Sequence, residues 1–391
     1  MILTMKPVHN ILLICVFAAL VLFASLRIPG EWHMIIPTEW RLTHWLFSYE
    51  FGFIKRGFVG TIIYLFTAHP SYYLLSILSL TAHLAATYTL VFYLLRRLSP
   101  VNFPRFIFTA LFLASSATLQ HLTWNLGRFD HFGVVILIAS LLILERGPYQ
   151  GKWFIIPLCA AGILIHEAFF LLFFPLIFTA SLYAIKESPA QKIFSISLAA
   201  SSLTVLFLTT QFGSMEALNK ESYLAYLHGK TNFSPDESSV MVLYRGFREN
   251  VAYTLNAFLT RETLYNHITL LTWQLPAAVA LYILLRSLYR KACQLKEKFY
   301  FVLLTAASLS PFALYIVGRD FYRWIAVIML NFFVMILFLS QKKTYLQCLE
   351  ETISNYRLLI IVSVVISILA GPIGIEKAHP YKLIGLLTNL P

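Results

Sequence analysis

Four ionisable residues interrupt a long apolar stretch of this chain at two matched places. Asp130 and His131 precede a charge-free run at 132–144, and His166 and Glu167 follow a charge-free run at 153–165. Each run is 13 residues long. As an α-helix, such a run rises only about 20 Å, whereas a bilayer core is about 30 Å thick. With Glu145 and Lys152 at one membrane surface, the opposite ends stop roughly 10 Å short of the other. The connection 146–151 is short, so the runs form an antiparallel hairpin and bring Asp130, His131, His166 and Glu167 to similar depth. Ionisable groups at that depth are costly and by default functional, lining a water-filled pocket. The pattern reads as the floor of an active or binding site.

Cationic residues cluster on the same side. Gly127-Arg128-Phe129-Asp130 is echoed by Gly318-Arg319-Asp320-Phe321, and each precedes an apolar run. The first loop closes on Glu50-Phe51-Gly52-Phe53-Ile54-Lys55-Arg56-Gly57. Arginine forks suit phosphate oxygens and lysine supplies a point charge, so Lys55, Arg56, Arg128, Arg319 and Arg323 are candidate phosphate ligands. Gly52, Gly57 and Gly60 permit close backbone approach. The same basic residues also suit structural bridges to Glu50, Asp130 and Asp320, and both aspartates suit helix N-caps. The candidate catalytic groups are Asp130, Glu167, His166, His131, Asp320 and Glu50. His166-Glu167 lacks the second histidine four residues on that a zinc-protease helix requires, so no metal and no other cofactor is expected. A divalent cation on Asp130, His131, His166 and Glu167 is the minor alternative.

The elements that must position these groups are membrane helices. Hydrophobic residues make up 59% of the 391 residues and charged ones 12%, a balance that excludes a soluble enzyme. The expected fold is all-α: one polytopic transmembrane domain over 1–391, with two short helices forming an outward-open pocket. About eleven charge-free runs serve as spans: 11–26, 71–95, 106–122, 132–144, 153–165, 168–185, 193–212, 263–285, 299–317, 324–340 and 358–374. A further apolar piece, 57–68, is too short to cross and suits an interfacial or re-entrant segment. Lys6 followed by 11–26, with no small-residue cleavage site, reads as a retained first span.

The net charge of +12 is dispersed over loops, which fits cytoplasmic loops of a membrane protein and not a nucleic-acid stripe. Arg96, Arg97, Arg105, Arg146, Lys152 and the cluster 286–298 fall on one side, taken as the cytoplasm. Loops 27–56, 123–131, 213–262 and 318–323 then face outward. Within the long loop, 239–259 has helical apolar periodicity, suiting a surface helix or a lid over the pocket. Cys15 and Cys159 lie in apolar runs and Cys293 and Cys348 in basic loops, without disulfide or metal spacing.

Carboxylates and a histidine in an outward pocket, an arginine-rich rim and aromatic loops together suit sugar transfer. A carboxylate, Asp130 or Glu167, would accept the acceptor hydroxyl proton, and the cations would stabilise the departing phosphate. In its many spans, acid-bearing first outer loop and long later outer loop, the chain resembles the polytopic GT-C-type glycosyltransferases and the O-antigen polymerase-like membrane proteins. It departs from many GT-C enzymes in having no Asp-x-Asp in the first loop. The resemblance implies a bacterial inner-membrane enzyme working at the periplasmic face. Its partners would be membrane lipid, a polyprenyl-linked saccharide donor and a glycan or lipid acceptor, with no nucleic acid. The rival class is a transporter or flippase for an anionic lipid or solute, since broken helices and intramembrane charges serve those proteins too. A third is a non-catalytic assembly subunit.

Overall fold

A computed structural model describes residues 37–373 except 100, 147–148, 185–188, 259 and 293, together with residues 14, 17–19 and 21. The expected run 11–26, and Glu31, Trp32 and His33 of the first loop, lie largely or wholly outside the described residues. Secondary structure among the described residues is helical, with no strand. Among the described residues, six helices are long and apolar enough to cross a membrane: Tyr72–Leu98, Phe103–Trp124, Lys192–Phe212, Thr263–Lys291, Leu295–Ile316 and Phe321–Leu339. The pair Lys343–Asn355 and Arg357–Ala370, bent by 83°, makes a seventh if taken as one span. Of the eleven charge-free runs, 11–26 lies largely outside the described residues, and the remaining ten exceed this number. Lack of charge marks burial in lipid or protein alike: the run at 132–144 extends to the 17-residue helix Asp130–Arg146, 153–165 shortens to Ile155–Ile165, and 168–185 is broken into Phe169–Leu172 and Phe174–Ala184.

The chain forms two compact units that alternate along the sequence. The first comprises Met1–Met34, Leu90–Asn125 and Leu255–Pro391. Its innermost spans are Phe103–Trp124 and Phe321–Leu339, with 94% and 89% of their apolar windows buried. Asn102 starts the former by accepting the Arg105 N–H, with Pro104 in the first turn, where its missing donor costs nothing. Ser115–Thr118 break this span in the middle, and the exposed carbonyls are met locally by Gln120 and Thr118. Arg357–Ala370 packs against Arg261–Lys291 and Phe103–Ala114. The preceding helix Lys343–Asn355 buries Tyr345, Leu349 and Ile353, and Glu350 pairs with Arg105. Cys348 therefore sits on an amphipathic helix and not in a basic loop.

The second unit comprises Ile35–Thr89 and Leu126–Thr254. Asp130–Arg146 packs against Ile155–Ile165 and Phe174–Ala184, and Ile155–Ile165 packs also against Pro189–Phe212 and Gly57–Tyr64. The short helix Gly57–Tyr64 sits so close to the turn at Trp45–Phe47 that a Cβ on Gly60 would collide with the Phe47 carbonyl. Residues of the long loop share a core with the first loop: Tyr223, Leu227, Val240 and Leu243 pack with Leu42, Trp45, Leu46 and Phe47. Backbone and hydroxyl bonds fasten the two. Ser239 donates to the Trp40 carbonyl at 2.7 Å, and Thr43 accepts the Asp236 N–H at 2.8 Å. The single surface helix expected over 239–259 is interrupted. Glu237–Val240 and a 3-10 turn Met241–Leu243 end in the shared core, and a new helix, Phe247–Phe258, begins after Gly246.

Candidate functional site

The site is assembled in the second unit from three segments. The first loop ends at Lys55-Arg56, directly before Gly57–Tyr64. Because that helix docks on Ile155–Ile165, Arg56 reaches the residue just past its end: Nε lies 3.1 and 3.0 Å from the two Glu167 carboxylate oxygens, and Nη2 lies 2.5 Å from Oε1. This bidentate fork gives both energy and orientation. Arg56 takes φ +63°, the one non-glycine positive φ among the described residues, a conformation held only when the surroundings demand it. Lys55 is fixed as well: its N–H donates to the Gly213 carbonyl at 2.8 Å and its ammonium to the Arg245 carbonyl at 3.2 Å. Burial lowers the Lys55 pKa.

Asp130 is the first residue of its helix and is 3% exposed. His166 ends the facing helix. Both line one tight cleft of about 10 Å³, room for about a single water molecule, with Phe129, Ile165, Phe169 and Phe173 among its walls. Gly133 and Gly162 make room for those rings: a methyl group at Gly133 would stand 2.5 Å from Phe173, and one at Gly162 would stand 2.8 Å from Phe169. His166 Nδ1 accepts the Ala168 N–H at 3.2 Å, which leaves the proton of the neutral ring on Nε2. Nδ1 also lies 3.4 Å from Glu167 Oε2, so protonation would turn the same atom into a donor towards that carboxylate. Burial alone would push the Glu167 carboxyl up. The Arg56 guanidinium, and then His166 in its protonated, donating form, outweigh it and hold the group well below the usual carboxylate range. A carboxylate so stabilised is a weak base.

The loop before Asp130 is gripped by the first-loop segment Glu39–Leu46. Arg41 donates to the Leu126 carbonyl at 2.9 Å and Trp45 to the Gly127 carbonyl at 2.7 Å. Gly127 has φ +91°, and a Cβ there would meet Pro37 at 2.8 Å, so glycine is required on both counts. Arg128 is buried with its guanidinium 4.7 Å from the Trp40 ring, a cation–π contact. His131 Nδ1 lies 2.8 Å from the Arg128 carbonyl and the ring meets His83 edge-on.

Glu50 stands apart from this cleft group. It bonds the Tyr226 hydroxyl and lies 3.9 Å from Lys230. Asp320, Arg319 and Arg323 belong to the first unit, where Arg323 is buried, pairs with Asp320 and lies over the Trp324 ring. Among the described residues, no three His, Cys, Asp or Glu side chains gather to hold a metal ion. His44, His83 and Arg245 were not singled out as site residues. Only His44 carried a signal, as a histidine within a first loop already rich in acids and tryptophans. Comparison of the chain with family models, curated proteins and solved structures found no match in any of the three.

Proposed function

We propose that the chain is a bacterial inner-membrane glycosyltransferase or polysaccharide polymerase. It would act at the periplasmic face on polyprenyl-phosphate- or diphosphate-linked saccharides in surface glycan assembly. The reading is carried by one observation: Asp130 and His166 line the same apolar-walled cleft, at the ends of two short helices of a membrane protein. Asp130 is the base for the acceptor hydroxyl, with His166 beside it to pass the proton on. Arg128 and Lys55 supply positive potential for the departing phosphate, and Arg56, neutralised by Glu167, fixes the position of Lys55 beside it. Tyrosine and tryptophan faces of the outer loops suit sugar rings, and the lipid tail of the donor stays in the bilayer. Asp320, Arg319 and Arg323 are a second acid–arginine set in the first unit.

The broken helices at Phe169–Leu172 and Phe174–Ala184, and the 83° bend before Arg357–Ala370, favour the alternative of an anionic-lipid or solute transporter. The discriminating measurement is the surface-glycan profile of a deletion strain, complemented with wild type or Asp130→Asn at equal expression. Loss of long chains with a single repeat unit retained supports a polymerase, and loss of one sugar supports a single-residue transferase. An unchanged profile in the deletion strain sinks both and leaves the transporter.

A further inference from the structure

Three helix ends of the first unit share one pattern: a cation beside an exposed apolar or aromatic side chain. Arg261–Lys291 ends on Tyr289 and Arg290. Leu295–Ser308 begins with Leu295 and carries Lys298 and Phe299 in its first turns. Arg357–Ala370 begins with Arg357 and Leu358, directly after Tyr356. Leu295 and Leu358 are 85% and 72% exposed, and Tyr289, Phe299 and Tyr356 are exposed too. Contacts bring these ends together. Lys342 Nζ lies 2.9 Å from Glu297, Arg105 pairs with Glu350, and the Cys348 thiol donates to the Ser287 carbonyl at 3.5 Å. The Ser363 hydroxyl donates to the Pro276 carbonyl at 2.9 Å. From the third contact to the fourth the numbering rises on one side and falls on the other, so the stretches run antiparallel and Arg357 lies on the Arg286 side of Pro276. Lys343–Asn355 turns 83° from Arg357–Ala370, so it crosses these ends and does not continue them.

Charge at this end is one-sided. Arg286, Arg290, Lys343 and Arg357 are exposed, and none of them enters an ion pair among the described residues. Of the acids on these segments, Glu297 is taken up by Lys342 and Glu350 by Arg105, which leaves Glu351. A soluble acidic partner would need the cations but not the exposed leucines and rings beside them. Cations and apolar side chains side by side fit the level where hydrocarbon gives way to headgroups, with the long stems along apolar surface and the charges at the phosphates. We propose that this end of the first unit binds the headgroup phosphate of an anionic phospholipid through Arg286, Arg290, Lys343 and Arg357. Guanidinium forks and an ammonium make charge-assisted contacts to phosphate oxygens. A net negative headgroup is preferred over a zwitterionic one, which brings its own cation. The lipid thereby ties Lys343–Asn355 to the neighbouring span ends, in place of the carboxylates this face lacks. The proposal is independent of what the cleft of the second unit does.

The test places the full-length protein in phosphatidylcholine bilayers and compares the association of spin-labelled phosphatidylglycerol with that of spin-labelled phosphatidylcholine. The expected preference for phosphatidylglycerol is about fivefold or more, the factor that one cation near an anionic surface contributes. Arg290→Gln/Lys343→Gln should reduce it to about twofold or less. Arg248→Gln/Arg261→Gln, which removes as many exposed cations elsewhere, should leave it unchanged. Raising the salt from about 0.1 M to about 1 M should weaken the wild-type preference, a reading that needs no variant. Absence of a preference in the wild type overturns the proposal, and so does an equal loss in both double variants, which reads as diffuse charge attraction. Binding of polyglutamate in detergent, lost in Arg290→Gln/Lys343→Gln and unaccompanied by a lipid preference, assigns the face to an acidic protein and overturns it as well.

Discussion

At the scale of single residues, the Arg56–Glu167 fork decides what the site can do. It takes Glu167 out of contention as a strong base and holds Arg56 in a left-handed conformation that nothing local favours. Glu167→Gln removes the charge from a pair whose members are only 15% and 24% exposed, and it should lower stability by about 1–3 kcal/mol. Thermal unfolding in detergent of this variant, Arg56→Ala and the double variant would reveal the coupling, since the two losses should add to less than their sum. The pH response has the same sign for two groups and separates them by window. Glu167 has its folded pKa depressed below its ordinary 4.5. Its contribution is present above that value and fades only as pH falls through the folded one. Burial depresses His44 below its ordinary 6.5, so below about 6.5 the unfolded chain binds the extra proton and stability declines with falling pH. Between pH 7 and 5, unfolding temperature should therefore drop in the wild type and drop less in His44→Phe. An equal slope in the two proteins would remove His44 from that account.

At the scale of elements, glycines set which helices can meet. Gly60→Ala drives a methyl group into the Phe47 backbone, which has no side chain to rotate away. It should cost on the order of 1–3 kcal/mol and loosen Gly57–Tyr64, and with it the reach of Arg56. Gly52→Ala meets no atom within 4 Å but must hold φ +107° with ψ −176°, a region almost exclusive to glycine, so it should cost about 1–3 kcal/mol through backbone strain alone. Comparing the folded yield of the two variants separates collision from backbone strain. The hairpin of short helices was legible, because run length, end charges and a short connection are all local features. The fork was not, because Arg56 and Glu167 are 111 residues apart and meet only through the docking of Gly57–Tyr64. The break at Ser115–Thr118 was invisible too: small hydroxyl residues carry no charge and read as continuous span, although they can satisfy carbonyls of an interrupted helix. The helix Lys343–Asn355 was missed for the opposite reason, its polar face reading as a loop.

At the scale of the whole molecule, topology is the quantity to measure. Three helices long enough to cross lie between Glu216 and Lys343, so if all three cross, those two exposed residues lie on opposite sides. In a cysteine-free background, Glu216→Cys should react with an impermeant thiol reagent added outside whole cells, and Lys343→Cys should react only after lysis. The reverse pattern would put the Asp130 cleft in the cytoplasm and exclude a periplasmic sugar donor. Membrane character and helical class followed from composition alone. The partition into two units did not, since each unit draws on separated stretches of chain and no composition change marks the joins.

That alternation has a consequence for biogenesis. The second unit is complete once Thr254 has been made, whereas the first still awaits Leu255–Pro391, with its last three long helices and the bent pair. Chains fold as they emerge, earlier parts first. The cleft and the Arg56–Glu167 fork can thus assemble while the first unit is held open, with Phe103–Trp124 waiting in the bilayer for helices not yet translated. A ribosome stalled far enough beyond Thr254 for that residue to have left the exit tunnel should already display a protected second unit to protease, and the buried spans of the first unit are the part of the nascent chain that insertion factors must shelter longest.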